Sequence, residues 1–232
     1  MVLASALLSA LVLVPRVGVS HEVAQLREGI RLALDPQDGQ GRKVGDAKFG
    51  VYAFYDYDGE PIYVRQTSEK LRVRIRRHLT NHRTDAVAMN VLDPFKVAEI
   101  EMWPLWGLTD TNFALALNSA EFSVYEDVLV KSRFHAVLHE KAMPQGTIVE
   151  LPTSYRVAIV PRVLHELRSH PDIGIARRSQ TIAALAKVVS EREVSPGLRL
   201  TLVTQARRLL SLAERRYWDF ADEPRTTSGE DD

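Results

Sequence analysis

GVYAFYDYDGEPIYVRQT (residues 50–67) decides the fold. Two aromatic-rich runs, 48–57 and 60–65, flank Asp58-Gly59, a strong short-range signal for a β-hairpin. A two-residue loop pairs Tyr57 with Glu60. Counting back, Phe54 faces Tyr63 and Tyr52 faces Arg65. Side chains alternate with period two, so Tyr52, Phe54, Tyr63 and Arg65 share one face. Val51, Ala53, Ile62 and Val64 share the other, which is purely apolar and is expected to be core.

Working outward, SEKLRVRIRRHLTNH (68–82) reads as a helix capped by Thr67 or Ser68, with Leu71, Ile75 and Leu79 as its buried stripe. KVAEIEMW (96–103) alternates and predicts a third strand. Asn118-x-x-Glu121 resembles a capping box opening a helix to about Phe134, with Phe122, Tyr125 and Leu129 as its buried stripe. Upstream, residues 1–35 read mostly as helix, with Leu26, Ile30, Leu32 and Leu34 as candidate core, followed by a Gly- and Asp-rich loop at 35–46. Downstream, helices are expected near 161–170, 174–191 and 197–218. The expected organisation is an N-terminal helical segment and loop (1–46), a compact domain (47–143), a C-terminal helical region (144–221) and a disordered tail (222–232). The fold class is mixed α/β: a small α+β domain with a three-stranded antiparallel sheet, extended by helices at both ends.

The 232 residues are 45% hydrophobic and 26% charged, with formal net charge zero. That composition is globular, and no whole-molecule field announces a polyanionic partner. The chain has no cysteine, which excludes disulfides, zinc–thiolate sites and cysteine nucleophiles. It fits a reducing compartment, and a cytoplasmic location is expected. Val2 to Pro15 is uncharged and resembles the apolar part of a signal peptide. No Lys or Arg precedes it, and Pro15-Arg16 cuts it short of a membrane span, so a buried helix or an overlong start is expected.

Arg74 and His78 are spaced i, i+4 beside the buried stripe of their helix and point at the hairpin face. From Arg65 to Arg83 inclusive there are seven Lys/Arg and one acid. Such a run is either a solvated basic face or a set of phosphate contacts, with Arg65, Arg72, Arg76 and Arg77 as the candidates. Glu121 has a capping role available. Glu126 has none, and a carboxylate at the margin of a buried stripe near an arginine and tyrosines suits a hard divalent cation. The arginine pairs 177–178, 207–208 and 215–216 are expected as surface charge, with DNA-backbone contact as the alternative.

The order of these elements resembles the GIY-YIG nuclease superfamily over about residues 48–141. Gly50-Val51-Tyr52 matches the first motif, Tyr63-Val64 opens the second and Gln66-Thr67 continues it. Leu71, Arg74 and His78 match the family's helix, and Glu126 followed by Leu129-Val130 matches its metal-binding glutamate. The resemblance implies a metal-dependent DNA endonuclease. Tyr52 would help activate the attacking water, Tyr63 and Arg74 would hold the phosphate, and His78 would support the base or leaving group. Glu126 would bind one Mg²⁺ or Mn²⁺. Two positions depart from the pattern: Arg65 replaces the second motif's glycine, and His139 stands for an asparagine. A long cation directly opposite Tyr52 either adds a phosphate ligand or crowds the site. The alternative function is therefore an impaired relative that binds nucleic acid or a protein partner.

Overall fold

The structure, a computed structural model, describes residues 20–80, 92–138 and 143–221. The expectations for residues 1–18, His139 and the 222–232 tail lie outside these. Four antiparallel strands run in the order β2-β1-β3-β4: β1 Gly50–Tyr55, β2 Pro61–Thr67, β3 Glu99–Pro104 and β4 Tyr155–Ala158. The helices are α1 His21–Ala33, α2 Leu71–Thr80, α3 Phe113–Lys131, α4 Arg162–Arg168, α5 Pro171–Glu191 and α6 Pro196–Ala221. The fold is mixed α/β. The sheet has four strands where three were expected. β4 is only four residues long and sits among prolines, too short for an alternation signal.

The hairpin pairs Phe54 with Tyr63 and Tyr52 with Arg65, as the turn count predicts. Its turn differs. Gly59 N–H donates to Asp56 O at 3.0 Å and Asp56 N–H to Glu60 O at 2.9 Å, so residues 56–60 form a longer loop with Gly59 at φ +74°. Tyr55 then opposes Pro61, and the register shifts by one before Phe54. The irregularity turns Ile62 away from Val64, so Ile62 packs with Tyr52, Phe54 and Tyr63 rather than on the other face.

Two cores result, one on each face of the sheet. On the first, Tyr52, Phe54, Tyr63, Ile100 and Met102 pack with Leu26, Ile30 and Leu34 from the N-terminal segment and Leu71, Ile75 and Leu79 of α2. Leu185, Val188 and Leu198 of the C-terminal helices join this same core. Leu32, expected inside, is 54% exposed. On the second face, Val51, Ala53, Tyr55, Val64 and Trp103 pack against α3.

Helix α3 differs from expectation in two ways. It starts at Phe113 rather than near Asn118, because Ala114, Leu115, Ala116 and Leu117 are strong helix formers and Asn112 accepts from Thr109 N–H at 2.9 Å in the preceding turn. Asn118 is therefore inside the helix and caps nothing. The buried stripe is Leu117, Ala120, Glu121, Val124 and Val128, one position round from Phe122, Tyr125 and Leu129. Small residues lie beneath the helix where it approaches Val51, Ala53 and Val64, and the aromatic residues move to its flanks. Among the described residues, no helix is long and apolar enough to cross a membrane.

Candidate functional site

β2 is an edge strand, so half of its backbone groups face away from the sheet. Gln66 N–H donates from that edge to Glu121 Oε1 at 3.0 Å, and Gln66 Nε2 donates to Asn118 Oδ1 at 2.6 Å. Two residues of α3, three apart, thus stitch the helix to the edge of β2. Two depressions meet along this seam. One, about 320 Å³, has Arg74, Glu69, Gln66 and Asn118 in its wall. The other, about 620 Å³, has Arg65, Gln66, Glu121 and Asn118.

Behind this wall lies an aromatic cluster. Tyr52 and Tyr63 are 0% and 2% exposed. The His78 ring stands between them, with centroids 6.0 Å from Tyr52 and 5.4 Å from Tyr63. The motif glycine, Gly50, begins β1 where a Cβ would meet Trp103 O at 2.8 Å and Leu71 Cδ1 at 3.0 Å, so α2 and β3 can close on this strand only over glycine. That approach carries Arg74 and His78, one and two turns along α2, to the tyrosines.

The electrostatics are unusual. The Tyr52 hydroxyl is buried without a hydrogen-bond partner among the described residues, and so is His78 Nδ1. Burial pushes the Tyr52 phenol well above its ordinary range, and Tyr63 adds to this; Arg74 and Arg65 act the other way. Arg74 approaches the hydroxyl without a well-formed hydrogen bond. Burial, reinforced by Arg74, Arg77 and Arg65, lowers His78 to about 4, so its imidazole is neutral at pH 7.

Arg65 spans the seam. Its Nε donates to the Tyr63 hydroxyl at 3.1 Å, and its Nη1 is 3.9 Å from Glu121 Oε1. Glu121 is 6% exposed, and Oε2 has no partner among the described residues. Burial raises its carboxyl, opposed by the Gln66 N–H and by Arg65.

The structure therefore brings together Tyr52, Tyr63, Arg65, Arg74 and His78. Glu126 sits elsewhere. It is five residues beyond Glu121, about 140° round the helix and about 7.5 Å along it. Its charge adds to burial in raising the phenol of Tyr125, on the flank of the second core. The carboxylate at the seam is Glu121, which the capping reading had set aside; the signal that could have found it is that Asn118 and Glu121 share a helix face. The other basic candidates divide. Arg72 is tied to Asp46 at 2.8 Å and Asp35 at 3.4 Å, and Arg77 is paired with Glu69. Arg76 is exposed and has no ion pair among the described residues.

A divalent cation needs at least one ionised carboxylate with a free oxygen. Glu121 offers the free oxygen, although burial raises its carboxyl and so disfavours the ionised form, and Mg²⁺ commonly keeps several waters when few protein ligands are present. No group of three His, Asp or Glu suited to metal occurs among the described residues. No protein-family model, curated protein or solved structure matches the chain.

Proposed function

We propose that this protein is a metal-dependent DNA endonuclease of the GIY-YIG type, with its centre at the β2–α3 seam and Glu121 in the role expected of Glu126. The observation that carries this reading is the pair of buried, unpartnered polar atoms, Tyr52 Oη and His78 Nδ1, beside Tyr63 and Arg74. Such atoms cost stability, and a folded chain retains them where a reaction uses them.

Arg74 and Arg65 supply guanidinium donors for the phosphate oxygens, and their charge offsets what develops in the transition state. Tyr63 positions the phosphate through its hydroxyl. Neutral His78 offers a ring nitrogen beside Tyr52, so a proton leaving the attacking water has an acceptor within the cluster. Glu121 would hold Mg²⁺ or Mn²⁺, which when bound supplies Lewis-acid charge neutralisation at the phosphate.

A second reading is favoured by Arg65, which already occupies the Tyr63 hydroxyl and lies beside Glu121. In that reading the chain binds nucleic acid without cutting it. Incubation of supercoiled plasmid with the protein and Mg²⁺ or Mn²⁺ separates the two. Chelator-sensitive nicking supports hydrolysis. Salt-sensitive binding without nicking, with cleavage appearing in Arg65→Gly, supports the second reading.

A further inference from the structure

At the opposite end of the hairpin, about 13 Å along β1 from Tyr52, the turn residues Asp56–Asp58 meet α5. Here a cavity of about 50 Å³ is lined by Tyr57, Lys96, Arg168, Arg177 and Arg178, among others. A water needs about 10–15 Å³ of such space, so the cavity has room for a few waters or one tetrahedral oxyanion.

Its wall holds four cations, Lys96, Arg168, Arg177 and Arg178, and three carboxylates, Asp56, Asp58 and Asp93. Arg178 is 2.8 Å from Asp56 and within hydrogen-bond reach of Asp58, which commits both turn carboxylates. Asp93 accepts from Phe95 N–H at 3.0 Å. Arg168 is 2% exposed. It pairs with Glu22 and donates from Nη1 to the Tyr57 hydroxyl at 2.8 Å, yet its Nε is buried without a partner among the described residues. Arg177 has no ion pair among the described residues, and its Nη1 is likewise buried and unpartnered. Lys96 donates to Arg177 O at 2.7 Å and has no carboxylate within ion-pair distance among the described residues. Burial, together with Arg178 and Arg177, brings Lys96 down to about 8, although Asp93 and Asp56 oppose this; burial and Arg177 also lower Arg168.

Buried guanidinium donors left unused on Arg168 and Arg177, beside a lysine without an ion pair among the described residues and around a cavity of oxyanion size, are what a fold avoids by itself. We infer that this cavity is a phosphate-binding site, separate from the seam, in which Lys96, Arg168 and Arg177 hold one phosphate group. The phosphate is either the inorganic anion or a small monoester.

The test is thermal denaturation of the full chain during titration with sodium phosphate, against sodium chloride at matched ionic strength. The expected result is a saturable rise in Tm with phosphate and none with chloride. Arg177→Gln and Lys96→Gln should each weaken the apparent phosphate affinity at least tenfold. Arg74→Gln, at the seam, should keep the natural response. In phosphate-free buffer Arg177→Gln should melt no lower than the natural chain, because it removes a buried donor that has no hydrogen-bond partner among the described residues. Adenosine monophosphate separates the two sources: a tighter response than inorganic phosphate supports a monoester site, and an equal or weaker one supports the free anion. A phosphate response no larger than that to chloride would overturn the site. So would an undiminished response in both Arg177→Gln and Lys96→Gln, or a response lost in Arg74→Gln.

Discussion

Tyr52→Phe is expected to make the protein more stable while abolishing the nicking proposed for it. The ring is fully buried among Phe54, Tyr63 and His78, and phenylalanine fills the same space. The loss is a hydroxyl that has no well-formed hydrogen bond among the described residues, with the Arg74 guanidinium nearby. A buried group left unsatisfied costs about 1–3 kcal/mol, so its removal should stabilise by about 1 kcal/mol or more. For a chain of this size that is a rise of about 2–4 °C in Tm. Tyr63→Phe is the control. Its hydroxyl accepts from Arg65 at 3.1 Å, so that variant should lose about 0.5–1.5 kcal/mol. Equilibrium urea denaturation with unchanged slopes reads both values. If Tyr52→Phe proves less stable by 1 kcal/mol or more, the hydroxyl has a partner and the inference of a retained, costly functional group fails.

Three further outcomes follow from the same geometry. Because His78 is about 4 in the fold against an ordinary 6.5, the unfolded chain binds the extra proton between these values; stability should therefore fall by about 3 kcal/mol as pH drops from 6.5 to 4. His78→Phe should flatten that part of a pH–stability profile measured by urea denaturation, and an unchanged profile would refute the assignment. Gly29→Ala would ordinarily strengthen a helix, but a Cβ there meets the Ile159 carbonyl, so calorimetry should show a lower Tm rather than a higher one. Arg208 is 2% exposed and donates to Pro61 O at 3.2 Å and Ala136 O at 2.9 Å beside Asp56 and Glu60. Its replacement by alanine should cost about 3–5 kcal/mol in denaturant unfolding, because buried carboxylates lose a counter-charge.

The hairpin was legible because Asp58-Gly59 and strand alternation are local signals, and the Tyr52–Arg65 and Phe54–Tyr63 pairs follow from counting. The bulge that moves Ile62 was not, since it depends on hydrogen bonds among residues 56–60. The His78 and Arg74 placement followed from helical spacing. That Glu121 rather than Glu126 meets the β2 edge did not, because it turns on which face of α3 lies down. Large aromatic residues suggest a stripe, but a close approach between helix and sheet selects the small ones, and that is a property of the packed pair. The arginine pairs carried a similar trap. Arg178 and Arg208 are buried ties to the hairpin turn, and the clue was the acid-rich turn itself, Asp56, Asp58 and Glu60. A charge run on one element can be interpreted only when its counter-charges on another are known.

The most direct test of the seam as a hydrolytic centre is a plasmid-nicking assay in Mg²⁺ or Mn²⁺ comparing the natural chain, Glu121→Gln and Glu126→Gln, each with and without chelator. Chelator-sensitive nicking is expected from the natural chain and from Glu126→Gln, and none from Glu121→Gln. Nicking that survives Glu121→Gln and disappears in Glu126→Gln would contradict this expectation, as would the absence of nicking by the natural chain under every condition.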